Sequence, residues 1–114
     1  MQYALLIYTK PGTMESLSPA EQEAMSKEYW ALRDVPGVLT GAGLQPVTTA
    51  TTIRLADGEM LVTDGPFADT KEIFGGYYVI EAENLDRATE IAARIPALRL
   101  GGSVEIRPVL AGHS

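Results

Sequence analysis

Four ionisable side chains lie close together in the middle of the chain, and they are of the types that move protons. Asp64, Asp69, Lys71 and Glu72 fall within nine residues. A carboxylate can act as a general acid or base, and a lysine ammonium can polarise a substrate or bind an anionic group. We therefore predict Asp64 and Lys71 as catalytic residues.

Both predicted catalytic residues also have a structural interpretation. Asp64 begins the sequence Asp-Gly-Pro, and its carboxylate can accept backbone N–H bonds near Pro66 and Phe67 in an Asx-type turn. Lys71 and Glu72 are neighbours, so in a strand they point to opposite faces and cannot share a pocket without a bulge. Lys71 and Glu72 therefore fit the start of a strand that is stabilised by a salt bridge as well as they fit a functional site.

Other side chains are of types that bind small molecules. Arg107 can bind a carboxylate, but with Glu105 it also fits a charged edge strand that resists aggregation. Tyrosine hydroxyls can line a pocket, although buried tyrosines often only bond to the backbone. The predicted ligand-binding residues are Tyr8, Phe67, Glu72, Tyr77 and Arg107.

Several kinds of chemistry lack the residues that they need. The chain has no cysteine, and its single histidine, His113, is next to last. No carboxylates recur at ligand spacing, so we predict no metal site and no cofactor. Gly41-Ala42-Gly43 suggests a dinucleotide fingerprint, but Pro46 stands at the third glycine position and no helix follows.

Length and charge limit the class of protein. The 114 residues predict one domain over residues 1–110, with 111–114 as a flexible tail. The net charge is −6 and the nine basic residues are scattered, which argues against a nucleic-acid partner. No segment approaches the roughly 20 apolar residues that span a bilayer. We expect no membrane association and a cytoplasmic location.

The order of the elements follows from hydrophobic periodicity, caps and turns. Ser18 and Asn84 are predicted N-caps, and Asp57-Gly58 predicts a hairpin turn. The predicted strands are 2–9, 38–46, 50–56, 59–63, 73–81 and 103–110, and the predicted helices run from Ser18 to about Asp34 and from Asn84 to before Pro96. The side chains expected to face inward from these helices are Leu17, Ala24, Met25, Tyr29, Ala31 and Leu32, then Leu85, Ala88, Ile91, Ala92 and Ile95.

This order predicts an α+β fold, a ferredoxin-like split βαβ arrangement with an inserted hairpin. Two helices cover one face of its antiparallel sheet. Strands 2–9 and 73–81 are apolar on both faces, with Phe74 alternating onto the side of Gly76, Tyr78 and Ile80. The sheet face without helices is therefore expected to pack against a second copy, which forms a face-to-face homodimer of the dimeric α+β-barrel type.

A family motif supports this fold. Asp64-Gly65-Pro66-Phe67, Thr70-Lys71-Glu72 and Gly75-Gly76-Tyr77-Tyr78 resemble the YCII-related family in its DGPF-domain branch. The resemblance implies a dimeric α+β barrel, mostly without an assigned activity and often encoded near extracytoplasmic-function sigma factors. Members of the wider group are regarded as enzymes that use a His and an Asp. Because His113 is the only histidine, that pair does not carry over to this chain.

Two functions follow as hypotheses. One is a cofactor-free enzyme that performs acid–base chemistry on an unidentified small molecule, in a pocket at the sheet and dimer interface. The alternative is a non-catalytic ligand-binding or regulatory accessory protein, linked to an extracytoplasmic-function sigma factor.

Overall fold

A computed structural model describes residues 1–66 and 71–110 of the chain. Four strands form one sheet in the order β2-β5-β1-β6, with every neighbouring pair antiparallel, and β3 and β4 form a separate two-stranded sheet. The elements are β1 (Gln2–Thr9), α1 (Pro19–Leu32), β2 (Val38–Gly43), β3 (Thr51–Ala56), β4 (Glu59–Asp64), β5 (Ile73–Glu81), α2 (Leu85–Ala92) and β6 (Ser103–Pro108), with 3-10 helices at Val47–Thr49 and Pro96–Leu100.

The four-stranded order is that of a ferredoxin-like fold, so the predicted α+β architecture is confirmed. The apolar strands β1 and β5 occupy the centre of the sheet, where both of their edges are paired. Residues Tyr3, Leu5 and Ile7 of β1 are buried in one core cluster with side chains from both helices and from β5. Both helices therefore cover the same face of the sheet.

The predicted N-caps set the start of both helices. The Ser18 side chain accepts a hydrogen bond from the Glu21 N–H, and the Glu21 carboxylate accepts one from the Ser18 N–H, which completes a capping box. The Asn84 side chain accepts a hydrogen bond from the Arg87 N–H at 3.0 Å. These bonds satisfy N–H groups that have no partner inside the helix.

Three residues expected to face inward are exposed instead. Met25, Tyr29 and Leu32 form the inner stripe of α1, and Ala24 and Ala31 each precede a member of this stripe by one residue. One residue turns a helix by about 100°, so both alanines point away from the core. Leu85 is 55% exposed because it begins α2 at the edge of the core.

A tyrosine and a glycine fix the contact between β5, β2 and α1. The Tyr78 hydroxyl donates a hydrogen bond to the Tyr29 carbonyl oxygen at 2.7 Å, and burial raises the pKa of Tyr78 to about 12, so the donor keeps its proton at neutral pH. Its ring lies over Gly41, where a Cβ atom would approach Tyr78 Cδ1 to 2.5 Å. The close approach explains why β2 contains a glycine at this position.

The structure departs from the predicted boundaries where proline and 3-10 geometry intervene. β2 ends at Gly43 instead of 46, and Pro46 precedes the short 3-10 helix Val47–Thr49. α2 ends at Ala92, and the segment predicted as a loop contains the 3-10 helix Pro96–Leu100, closed by Gly101 in a left-handed conformation. β6 ends at Pro108, before the predicted end at 110.

Candidate functional site

The site lies on the face of the sheet opposite the two helices, here termed the uncovered face. Ala4 pairs with Val79 and Leu6 with Tyr77, so these side chains share a face, whereas Leu5 and Tyr78 point to the helices. On the neighbouring strand, Ala42 pairs with Tyr77 and joins the same face. The apolar and aromatic side chains on β1, β2 and β5 that lie on this face are half-buried: Ala4, Leu6, Tyr8, Ala42, Tyr77 and Val79.

A β-bulge brings a second aromatic ring to this face. Ile7 pairs with Gly76 but Tyr8 pairs with Phe74, so β5 contains one extra residue at this point. The Phe74 and Tyr8 rings lie 5.6 Å apart between centroids at 57°. Regular alternation placed Phe74 with Tyr78 and Ile80, which is wrong because the bulge reverses the direction of side chains beyond it.

A carboxylate lies beside this aromatic pair. Ser103, the first residue of β6, pairs with Tyr8, and its hydroxyl donates a long hydrogen bond of 3.4 Å to Glu72 Oε1. Glu72 directly precedes β5 and is half-buried. Tyr8, Phe74, Ser103 and Glu72 therefore meet at one end of the sheet, and we term them the Tyr8 cluster.

The predicted catalytic residues Asp64 and Lys71 lie close to Glu72 in the sequence. They make none of the described contacts of the Tyr8 cluster. Asp64 is the last residue of β4, pairs with Thr51 in the hairpin and is exposed. Lys71 is exposed and directly precedes Glu72. Phe67 and His113 lie outside the described residues, as does Asp69.

The remaining predicted residues occupy other parts of the uncovered face. Tyr77 is half-buried opposite Leu6, near the middle of the sheet. Arg107 pairs with Ala4, four residues along β1 from Tyr8, which is about 13 Å at the rise of a strand. β6 is an edge strand on which both Glu105 and Arg107 are exposed, an arrangement typical of edge protection.

Ser103 and Phe74 were not predicted from the sequence to be neighbours of Tyr8. Ser103 lies about a hundred residues from Tyr8, and only the pairing of β1 with β6 brings the two together. The glycine pair Gly75-Gly76 was a sequence signal for the bulge that brings Phe74 to this face, because glycine inside a strand often marks a bulge. No local signal identified Ser103.

The described residues contain neither a metal-binding cluster nor a membrane-spanning helix. Within residues 1–66 and 71–110, no three His, Cys, Asp or Glu side chains are grouped as metal ligands. No helix among the described residues is long and apolar enough to cross a membrane.

Comparison with protein-family models gives a match to the YCII-related domain over residues 1–111. The chain belongs to the YCII-related family. An uncharacterised protein from Rhizobium meliloti (strain 1021) is 35% identical over 114 residues, which cover 96% of this chain and 92% of the relative.

A solved structure has the same fold. It is the 5-chloro-2-hydroxyhydroquinone dehydrochlorinase of Burkholderia phenoliruptrix AC1100 in complex with 2,5-dihydroxybenzoquinone. The TM-score is 0.55 at 16% identity, and the match covers 98% of this chain and 96% of the dehydrochlorinase. At this identity the likeness concerns the fold alone.

Proposed function

We propose that this YCII-related protein is an enzyme that performs acid–base chemistry on a small aromatic molecule, without a cofactor, at the Tyr8 cluster. The observation that carries the proposal is the tilted aromatic contact of Tyr8 and Phe74 beside the Glu72 carboxylate. Aromatic rings provide an apolar surface for a planar substrate. A half-buried carboxylate next to that surface is placed to remove or return a proton.

Each residue of the site has a proposed role. Glu72 is the proton carrier, and the Ser103 hydroxyl orients its carboxylate. Lys71, the next residue along the chain, supplies a positive charge for an anionic substrate group. Asp64 is the rival candidate for the proton carrier, since it stands at the other end of the 64–72 segment. Tyr77 extends the aromatic surface toward the middle of the sheet.

The proposed substrate class is chosen by analogy with the fold neighbour, whose structure contains 2,5-dihydroxybenzoquinone. A hydroxylated quinone or hydroquinone is planar, which suits the Tyr8–Phe74 surface, and its hydroxyl groups are acidic enough to exchange protons with a carboxylate. We therefore propose hydroxylated aromatic rings as the substrate class. The fold likeness supports this choice only by analogy.

Binding of such a ring tests the proposal. Calorimetric titration with 2,5-dihydroxybenzoquinone should show binding, and Phe74→Ala should weaken it roughly 3- to 10-fold, the value of one aromatic contact. Trp30→Ala is the matched control, because Trp30 lies on α1, is 64% exposed and stacks with Arg33. Equal binding by the wild type and both variants would contradict the site.

We also propose that a second copy of the chain covers the uncovered face and closes the site. Half-buried apolar side chains across the three strands β1, β2 and β5 exceed the scattered exposure of a monomer. Sedimentation equilibrium at micromolar concentration should therefore show a dimer. Thr40→Arg, an exposed position on this face opposite Val79, should shift the equilibrium toward monomer. A wild-type chain that sediments as a monomer would contradict the face-to-face dimer.

The alternative function is non-catalytic ligand binding or regulation, in which an extracytoplasmic-function sigma factor is the proposed regulatory partner. The residue composition favours it, because the only histidine is His113 and the chain has no cysteine. The two functions differ in one measurement. A chlorinated hydroxyhydroquinone that binds but releases no chloride over hours of incubation would favour the binding protein.

A further inference from the structure

The hairpin of β3 and β4 has a strongly apolar face that packs on no described part of its own chain. Ile53 pairs with Val62 and Leu55 with Met60, so these four side chains share one face, here termed the arm face. Each of the four is between 62% and 68% exposed. The opposite face is mostly polar, with Thr52, Arg54, Glu59 and Thr63 beside Leu61. Such alternation is typical of a hairpin with one buried face.

The turn and the base of the hairpin are well defined. Asp57 and Gly58 both have positive φ, at 49° and 80°, which suits a tight two-residue turn. At the base, the Gly65 N–H donates to the Ala50 carbonyl oxygen at 2.7 Å, and the Thr52 hydroxyl donates to the Gly65 carbonyl oxygen at 2.8 Å. An isolated two-stranded hairpin is only marginally stable in water, so a formed hairpin of this kind needs a packing partner.

The exposed surface is large enough for that partner to be a second copy of the chain. The chain exposes 7928 Å², whereas a compact monomer of its mass exposes about 6,100 Å². Its radius of gyration is 15.9 Å, against about 13 Å for a compact domain of this length. A standard protein interface buries roughly 800 Å² of each partner. The excess is therefore larger than one subunit of a stable dimer needs to bury.

Charge argues against a membrane as the occupant of the arm face. The hairpin contains one basic residue, Arg54, and three acidic residues, Asp57, Glu59 and Asp64. The whole chain has a net charge of −6. Anionic lipid surfaces attract basic segments and repel acidic ones. A second copy brings its own uncovered apolar surface, so one association can bury the apolar surfaces of both chains.

We infer that the β3–β4 hairpin is a dimerisation arm, whose apolar face of Ile53, Leu55, Met60 and Val62 packs on a second copy of this chain. This inference extends the proposed dimer, because the arm adds contacts beyond the sheet face. The arm also carries Asp64 at its base. Association of the two subunits would therefore hold that residue in place.

Two neighbouring residues on β4 give a matched pair of variants. Val62 belongs to the arm face and Leu61 to the opposite face, and both are exposed, so neither change to glutamate disturbs the core. Val62→Glu should raise the dimer dissociation constant at least 100-fold in sedimentation equilibrium. Leu61→Glu should change it less than threefold. Circular dichroism should show the same secondary structure in both variants.

The Thr40→Arg variant separates this inference from the proposed sheet interface. Dissociation by Thr40→Arg together with an unchanged constant for Val62→Glu would overturn the arm and leave the sheet dimer standing. Dissociation by Val62→Glu alone would support the arm and contradict the sheet interface. A monomeric wild type would overturn both.

Hydrogen exchange gives an independent readout. The amides of residues 51–64 should be protected more strongly at a concentration where the dimer forms than at high dilution, and Val62→Glu should abolish the difference. Vesicles of phosphatidylcholine and phosphatidylserine test the other occupant. Sedimentation of wild-type monomer with these vesicles, lost in Val62→Glu, would overturn the arm in favour of a lipid surface.

Discussion

Glu72→Gln is expected to reduce the turnover of a hydroxylated aromatic substrate about 100-fold while the fold stays intact. General acid–base catalysis contributes at least this factor in most enzymes that use it. Glutamine keeps the length of the side chain and an oxygen that can accept the hydrogen bond from Ser103, but it cannot carry the proton. The melting temperature should change by only a few degrees, because Glu72 is half-buried and keeps this contact.

Two further amide variants complete this experiment. Glu59→Gln makes the same chemical change at an exposed position in the β3–β4 hairpin, outside the four-stranded sheet that contains Ser103, and should leave the rate unchanged. Asp64→Asn tests the rival proton carrier and should lower the rate less than tenfold. A hundredfold loss in Asp64→Asn with a normal rate in Glu72→Gln would show that the proton is moved from the base of the hairpin instead.

Leu5→Ala is expected to cost about 2–5 kcal/mol of unfolding free energy, the range for buried leucines that leave a cavity. Leu5 is 1% exposed and lies in the core cluster between the sheet and the helices. A loss of this size should lower the melting temperature by roughly 10–20 °C for a chain of this length. Urea unfolding measures it directly.

The adjacent Leu6 provides a matched comparison, since it points to the uncovered face and is only half-buried. Leu6→Ala should cost less than Leu5→Ala at high dilution. The free-energy cost of Leu6→Ala should grow with protein concentration, because the proposed dimer would bury Leu6. Equal losses for the two variants at all concentrations would mean that both faces of β1 are buried within one chain.

Local signals were sufficient to predict the elements and their order. The bounds of β5 follow from a run of apolar and glycine residues, and both helix starts follow from caps that act over three residues. The central positions of β1 and β5 follow from apolar residues on both of their faces. The Asp57-Gly58 turn likewise specifies the hairpin without help from the rest of the fold.

The site was harder to predict because it depends on contacts between distant strands. Tyr8 meets Ser103 only through the β1–β6 register, and it meets Phe74 only because a bulge changes the phase of β5. The 3-10 helix Pro96–Leu100 was missed because its fully buried proline is stabilised by tertiary packing and not by helix propensity. The charged residues near Asp64 pointed to the segment that also contains Glu72, but the contact of Glu72 with Ser103 was not visible in the sequence.

The central position of β1 also determines how late the sheet can be completed during folding. β1 is the first element of the chain, yet both of its partners come from the second half, and Tyr3 pairs with Pro108. A growing chain therefore holds an apolar strand with two open edges until β5 and then β6 emerge from the ribosome. Folds dominated by such distant pairings form slowly, in milliseconds to seconds. During synthesis, β1 is therefore a segment at which we expect aggregation or chaperone binding.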